Sequence, residues 1–413
     1  MYNIFFFLII TIILFGHASG LYLDFLNNKM WSDTVPDKLK GIIDKEKYKT
    51  SQNYYRINNK FSNISSSFFL IIILAMLFLG GFALIDNQAR ALTENRILVS
   101  IVFFGIIGLA SDLLSLPFSW YDTFKIEEKF GFNKTSKTTF IIDHLKRLLI
   151  AAVIGAPLLA LITWIYYVAG EMFWLYVWIV ITLFSVFMNM FYSELIVPLF
   201  NKQKPLEEGE LRTEIELMAA KAGFRLSNIY TIDGSKRSTK ANAYFAGLGP
   251  KKRIVLFDTL ISDLNVKEIT AVLAHEIGHY KKKHSLTMML YGIFQTGIML
   301  YIFSILAGNE KLTIAMGAEI PSFHISIFAF LLIYSPVSRI ISLFMNYLSR
   351  KHEYEADSYA GYLYDGTYLV SALKKLSVKN LSNLNPHPAY VFVHYSHPSL
   401  LKRIDNIEES TGK

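Results

Sequence analysis

Hydrophobic positions gather into seven apolar runs, near 4–25, 66–86, 97–117, 148–169, 173–196, 286–307 and 324–346, with polar segments between them. A helix rises about 1.5 Å per residue, so roughly 20 residues cross a hydrocarbon core about 30 Å thick. Seven transmembrane helices are therefore predicted. The polar segment 197–285 has a different rhythm. Within EEGELRTEIELMAAKAGF, Leu211, Ile215, Leu217 and Met218 recur at helical spacing, with a stop before Gly223. SNIYTID and RIVLFDTL are short β-branched and aromatic runs bounded by turn residues, and ANAYFAGLG between them is a third candidate strand. After Asp263 the stretch VKEITAVLAHEIGHYKKKH returns to helical periodicity and runs almost directly into the sixth span. The expected fold class is mainly α, a polytopic seven-helix transmembrane bundle with a small α+β domain at one membrane face. Four segments follow: 1–196 with spans one to five, the insert 197–285, 286–346 with spans six and seven, and the tail 347–413.

Composition agrees with a membrane protein. Of 413 residues, 53% are hydrophobic and 18% charged, whereas soluble domains carry roughly 25% charged residues. Internal repeats and low-complexity tracts are absent. The chain has no cysteine, which excludes disulfides, thiolate ligands, a cysteine nucleophile and S-lipidation. A metal site must then be built from histidine and carboxylate.

The first run could be read as a signal peptide, because IFFFLIITIILFGHASG ends in small residues, but it lacks a basic leader. Charge distribution decides between the two. Cytoplasmic loops accumulate Lys and Arg, and alternate segments of the seven-span topology carry 37 basic residues on one side against 3 on the other. A cleaved leader would put the 37 outside. The first run is therefore expected to remain as an anchor, with a luminal N-terminus and a cytosolic insert and tail. The sequons at Asn63, Asn133 and Asn380 fall on the cytosolic side and should stay unglycosylated. The net charge of +8 reflects this topology and some attraction to anionic lipid; no motif links it to nucleic acid.

The strongest chemical signal is His275-Glu276-Ile277-Gly278-His279. Histidines at i and i+4 share one helix face, so both imidazoles can reach one Zn²⁺ at about 2.0–2.1 Å. Glu276 then stands beside the open position, where its carboxylate can take a proton from water that the metal has acidified. A catalytic zinc needs a third protein ligand. The candidate segment is SRKHEYEADSYAGYLY, in which Glu353 and Asp357 are one helical turn apart. Glu353 would complete a two-His, one-Glu set, with Asp357 holding a ligand imidazole from behind. Such carboxylates also occur as a solvated helix face, and Glu355 is a competitor on a different face.

Together, LAHEIGH before span six, SRKHEYEAD after span seven, SKRSTKANAYFAG in the insert and HYSHPSLLKRI near the end resemble the type I CAAX prenyl protease family. LPFSWYDTFKIEEKFGFN and PLFNK extend the similarity over nearly the whole chain. The resemblance implies an integral-membrane, gluzincin-like zinc endopeptidase. It would remove the last three residues from prenylated CAAX proteins, farnesylated or geranylgeranylated, at the endoplasmic reticulum. It implies Glu353 as third ligand to one Zn²⁺ per chain, and His397 and Arg403 as groups facing the reacting carbonyl. Asn242, Ala243 and Tyr244 match the family's substrate-binding edge strand. The implied partners are these substrates and membrane lipid; a monomer is compatible with all of this.

His284, five residues past His279, projects nearly opposite it on an unbroken helix and is expected to have a non-ligand role near the metal or the membrane interface. Lys281, Lys282 and Lys283 should reach headgroups or water. His352 and His394 read as packing or surface histidines. Asp112 and Arg339, inside spans, should face the bundle interior, either lining a chamber or pairing with each other. Two other functions compete. A membrane quality-control zinc protease without prenyl specificity would share the HExxH and EYxAD chemistry but is expected to have fewer spans. A transporter or channel with a structural zinc should show a closed four-ligand site.

Overall fold

A computed structural model describes residues 2–32, 34–223, 229–247 and 253–412. Ser227 and Asn228 of the first predicted strand, and Leu248 and Gly249 of the third, lie outside the described residues. Among the described residues, seven helices are long and apolar enough to cross a membrane: Ile4–Asn28, Lys45–Phe78, Arg96–Glu127, Lys137–Val168, Gly170–Phe200, His284–Leu306 and Phe323–Leu363. Each contains most or all of one apolar run.

The boundaries differ from expectation where polar sequence stays helical. The second helix begins at Lys45, capped by the Asp44 side chain, and ends at Phe78. Gly80, in the left-handed region at φ 68°, then starts a separate helix, Gly81–Leu92, so 81–86 do not belong to the second span. The seventh helix continues through 41 residues to Leu363. Glu353 and Asp357 therefore ride on the same rigid rod as the last span.

A four-stranded sheet occupies the insert, in the order β1 (Gln203–Pro205), β2 (Ile229–Ile232), β4 (Arg253–Phe257), β3 (Ala243–Ala246). β1, only three residues long and ending in proline, has no sequence signature. β3 pairs antiparallel with β4 and has no partner strand on its other side among the described residues. The predicted amphipathic helix spans Glu210–Lys221 and buries Ile215 and Met218. Leu217 is exposed, because it sits on the opposite side of the turn from Ile215.

One core unites the insert and the tail. Ile254 and Leu256 of β4, Ile269, Leu273 and Ile277 of helix Val266–Lys281, and Leu369, Ile404 and Ile407 of the tail are buried in a single cluster. Helix Val266–Lys281 is set at its start by a capping box between Asn265 and Glu268. Glu268 is itself buried, bonded to Ser371 Oγ at 2.6 Å and Lys375 Nζ at 2.8 Å.

Two side chains of the SKRSTKANAYFAG motif clamp the sheet to the membrane helices. Arg237 forms a bidentate pair with Asp143 at 2.7 and 2.9 Å and also donates to the Phe200 carbonyl at 2.8 Å. Lys240 reaches Glu127 at 2.7 Å and the Tyr54 hydroxyl at 2.9 Å. Planar guanidinium on carboxylate fixes orientation as well as distance, so the strand edge is held relative to spans two, three and four. Asp112 and Arg339 do not pair with each other. Asp112 lies 3.0 Å from His144 of the fourth span. Arg339 donates to the Gly16 carbonyl at 3.1 Å and to Ser19 Oγ at 2.9 Å on the first.

Candidate metal centre

The site lies where helix Val266–Lys281 packs on the extension of the seventh helix beyond its apolar run. Gly278 makes this approach close: a Cβ there would sit 3.1 Å from both Cα and the carbonyl oxygen of Ala356. Ala356 lies between Glu353 and Asp357 in the sequence, so tight contact at Gly278 presents both carboxylates to the histidines.

His275, His279 and Glu353 can hold a metal ion. Nε2 of His275 and Nε2 of His279 are 3.1 Å apart. Glu353 Oε1 is 3.2 Å from His279 Nε2, and Oε2 is 3.6 Å from His275 Nε2. Ligand atoms about 2.0–2.1 Å from a tetrahedral ion are separated by about 3.3 Å, so the two ring nitrogens, with one carboxylate oxygen near each, are spaced to hold a first-row divalent cation. A second observation agrees. Glu353 Oε2 is buried without a well-aligned hydrogen bond, although His397 Nδ1 is 3.0 Å away.

Proton positions follow from the outer partners. Asp357, fully buried, accepts from His275 Nδ1 at 2.8 Å, which leaves His275 Nε2 with its lone pair facing the site. Arg403, on helix Leu400–Thr411, grips both oxygens of Asp357 at 2.8 and 2.6 Å and lies 3.4 Å from Glu353 through Nη1. Burial lowers the pKa of Arg403, but the Asp357 carboxylate outweighs it and raises the value. For His279, burial disfavours the imidazolium, yet Glu353 beside it raises the pKa. A cation held by the same groups would replace that proton.

Glu276 makes no hydrogen bond or ion pair among the described residues. It is half-buried beside the histidines, and its charge acts on both His279 and Arg403. His397 is 63% exposed at the rim. Asn242 precedes β3, its carbonyl accepting from Phe257 N at 3.1 Å; Ala243 and Tyr244 pair with Leu256 and Val255. A cavity of about 1160 Å³ separates β3 from the fifth and sixth spans, walled by Met188, Tyr192, Tyr244, Phe245 and Met289 and opening onto His279. All ten candidate site residues thus fall around one centre or its adjoining cavity and strand. Two further residues, His284 and Glu355, also enter it; His284 was expected near the metal only in general terms, and Glu355 only as a rival to Glu353.

Comparison with known proteins agrees with this architecture. Residues 25–202 match the family described as CAAX prenyl protease N-terminal, five membrane helices, and residues 205–411 match peptidase family M48. The chain is 35% identical to a CAAX prenyl protease 1 homolog of Dictyostelium discoideum, covering 99% of this chain and 98% of that protein. It is also 35% identical to CAAX prenyl protease 1 of Saccharomyces cerevisiae, covering 95% and 92%. The crystal structure of S. mikatae Ste24p matches with a TM-score of 0.93 at 34% identity, over 99% of this chain and 100% of that one. The chain belongs to peptidase family M48, and with its seven apolar helices it is an integral multi-pass membrane metalloendopeptidase of the CAAX prenyl protease kind.

Proposed function

We propose that this metalloendopeptidase uses one Zn²⁺ to remove the C-terminal aaX tripeptide from prenylated CAAX proteins. His275, His279 and Glu353 would hold the ion, which supplies Lewis acidity to a carbonyl and lowers the pKa of water. Glu276 accepts the proton of the attacking water and returns it to the leaving amine. Its freedom from a hydrogen-bond or ion-pair partner among the described residues suits that double role. His397 and Arg403 stand on the Glu353 side of the centre, where their N–H groups can meet the oxyanion as charge develops. Asp357 keeps both His275 and Arg403 oriented. The outer edge of β3, which has no partner strand among the described residues, can take an extended peptide by main-chain hydrogen bonds, with Asn242, Ala243 and Tyr244 at its start.

The cavity beside the site carries the substrate assignment. It is larger than most ligand pockets, which hold about 300–1,000 Å³, and the wall facing β3 comes from the fifth and sixth membrane helices through Met188, Tyr192 and Met289. An isoprenoid bound there would avoid water while its cysteine reached the strand edge. The names of the relatives, CAAX prenyl protease 1, favour the same class. The excess of basic residues on one side favours a site that faces the cytosol, and the resemblance to the CAAX prenyl proteases supports the endoplasmic reticulum as its membrane.

The test is release of the terminal tripeptide from a farnesylated CAAX peptide by purified protein, beside the unprenylated peptide and the Glu276→Gln variant. Cleavage that depends on both Glu276 and the lipid supports the proposal. Equal cleavage of both peptides would retain the protease and discard prenyl specificity.

A further inference from the structure

His284 and Glu355 are outside the ligand triad, yet they are linked to it in series. His279 Nδ1 is 3.0 Å from His284 Nδ1, and His284 Nε2 is 3.0 Å from Glu355 Oε2. On an unbroken helix His284 would point away from His279. Instead the helix stops at Lys281, and Lys283 adopts a left-handed conformation, φ 60° and ψ 27°. That geometry costs a non-glycine residue roughly 1–2 kcal/mol, so the surrounding fold maintains the turn. The turn brings His284 back beneath His279. There it is buried and stacked on His352, ring centroids 4.0 Å apart and planes 8° from parallel.

The order of donors and acceptors along this series has one solution that suits a metal ligand. An ionised Glu355 can only accept, so His284 Nε2 carries a hydrogen. Neutral His284 then offers a lone pair at Nδ1, and His279 Nδ1 must donate to it. That leaves His279 Nε2 unprotonated, facing His275 Nε2 and Glu353. Without the acceptor at His284 Nδ1, nothing in this contact would keep the His279 proton on Nδ1. Asp357 performs the same service for His275 through a single bond; for His279 it takes a histidine and a carboxylate.

We propose that Glu355 and His284 are positioning residues that lock His279 in the metal-binding tautomer and ring orientation. The inference rests on the reading of His279 as a metal ligand. Outer partners of ligand histidines are worth about 10- to 100-fold in metal affinity.

The experiment uses the full-length protein in detergent, stripped and titrated with Zn²⁺ against a chromophoric chelator, and separately loaded with Co²⁺ for its visible spectrum. His284→Leu should weaken Zn²⁺ binding about 10- to 100-fold and change the Co²⁺ bands. His284→Asn places an amide oxygen near the position of Nδ1 and should restore most of the affinity. Glu355→Ala should weaken binding less than His284→Leu, and Glu355→Gln, which retains an acceptor, less again. Wild-type affinity with an unchanged spectrum in His284→Leu overturns the proposal, as does failure of His284→Asn to exceed it. Should His284→Leu not fold, unchanged affinity in Glu355→Ala is the overturning result. His279→Ala serves as the separate control: wild-type Zn²⁺ affinity there would refute the metal-site reading itself, whereas loss there with no effect at His284 refutes only the relay.

Discussion

Gly278 and Ala356 are where the HExxH helix touches the backbone of the seventh helix, with 3.1 Å between a Cβ built on the glycine and the Ala356 carbonyl oxygen. This contact sets the distance from the two histidines to Glu353. It is also unforgiving, because the two nearest atoms that a methyl group would meet are backbone atoms, which cannot rotate away, and the third belongs to the Tyr359 ring.

Gly278→Ala separates two effects of opposite sign. Alanine favours a helix interior by about 1 kcal/mol over glycine, but overpacking a tight contact costs about 1–3 kcal/mol. The helices would have to part by a few tenths of an ångström, carrying Glu353 away from Nε2 of His275 and His279. We expect a folded protein with little change in thermal midpoint and a peptidase kcat/KM roughly tenfold to a hundredfold lower, since small misplacements of a reacting group are costly. Zn²⁺ titration and peptide kinetics on the same preparation check this; unchanged kinetics would mean that the helix pair yields without moving Glu353.

Glu276→Gln keeps the size of the side chain and removes its basicity. Because Glu276 holds no structural bond among the described residues, the fold and the three ligand atoms should be undisturbed. Turnover should fall by about 10²- to 10⁴-fold, the usual contribution of a general base, while metal content stays at the wild-type level. Metal analysis beside initial rates distinguishes this from loss of the ion, which His279→Ala should show instead.

Removal of the metal should be reversible and visible in stability. A ligand at 1,000 times its Kd stabilises the native state by about 4 kcal/mol. Chelation should therefore abolish peptidase activity and lower the thermal midpoint, and added Zn²⁺ should restore both. The fall should be blunted in Glu353→Gln, which lacks the buried carboxylate that favours the ion. A thermal midpoint indifferent to chelator in wild type would argue against a resident ion at His275, His279 and Glu353.

Much of this architecture is legible in the chain because it depends on local periodicity. Seven apolar runs become seven helices, and the i, i+4 spacing of His275 and His279 does bring both imidazoles to one point. Other features depend on partners distant in sequence. The spacing of Glu353 and Asp357 marks a helix face but does not say what that face meets; the residues alone make Glu353 the candidate ligand with Glu355 as its competitor, and resemblance to a family strengthens that choice. The polar start of the second helix at Lys45 has no apolar stripe of its own. β1 exists because Gln203–Pro205 has β2 beside it. His284 could not be placed by projection, since the left-handed turn at Lys283 interrupts the helix on which the projection relied. Asp112 and Arg339 are expected from the sequence to face the bundle interior, yet Arg339 is exposed, and their partners, His144 and the first span, are set by the packing of the helices.

Glu268 offers a prediction with a pH signature. It closes the capping box at the start of the HExxH helix and is buried against the tail helix Gly366–Lys379 through Ser371 and Lys375. Burial would raise its pKa, but the Lys375 and Ser371 hydrogen bonds outweigh this and hold it below the usual carboxylate value. A carboxylate depressed in the folded state contributes stability that is complete above its unfolded pKa, about 4.3, and is lost as pH falls through the folded value. Glu268→Gln retains the shape and one acceptor but not the charge. At pH 7 it should be less stable than wild type by about 1–3 kcal/mol, the range for a broken hydrogen bond to a charged group. The difference should shrink as pH drops below about 4, where wild-type Glu268 also takes up a proton. Thermal unfolding of both proteins in detergent across pH 3.5 to 7 measures it; conducted with Zn²⁺ stripped from both, the comparison excludes the acid lability of the metal site. A gap that stays constant with pH would assign the effect of Gln to packing alone and leave the charge of Glu268 without a role in anchoring this helix.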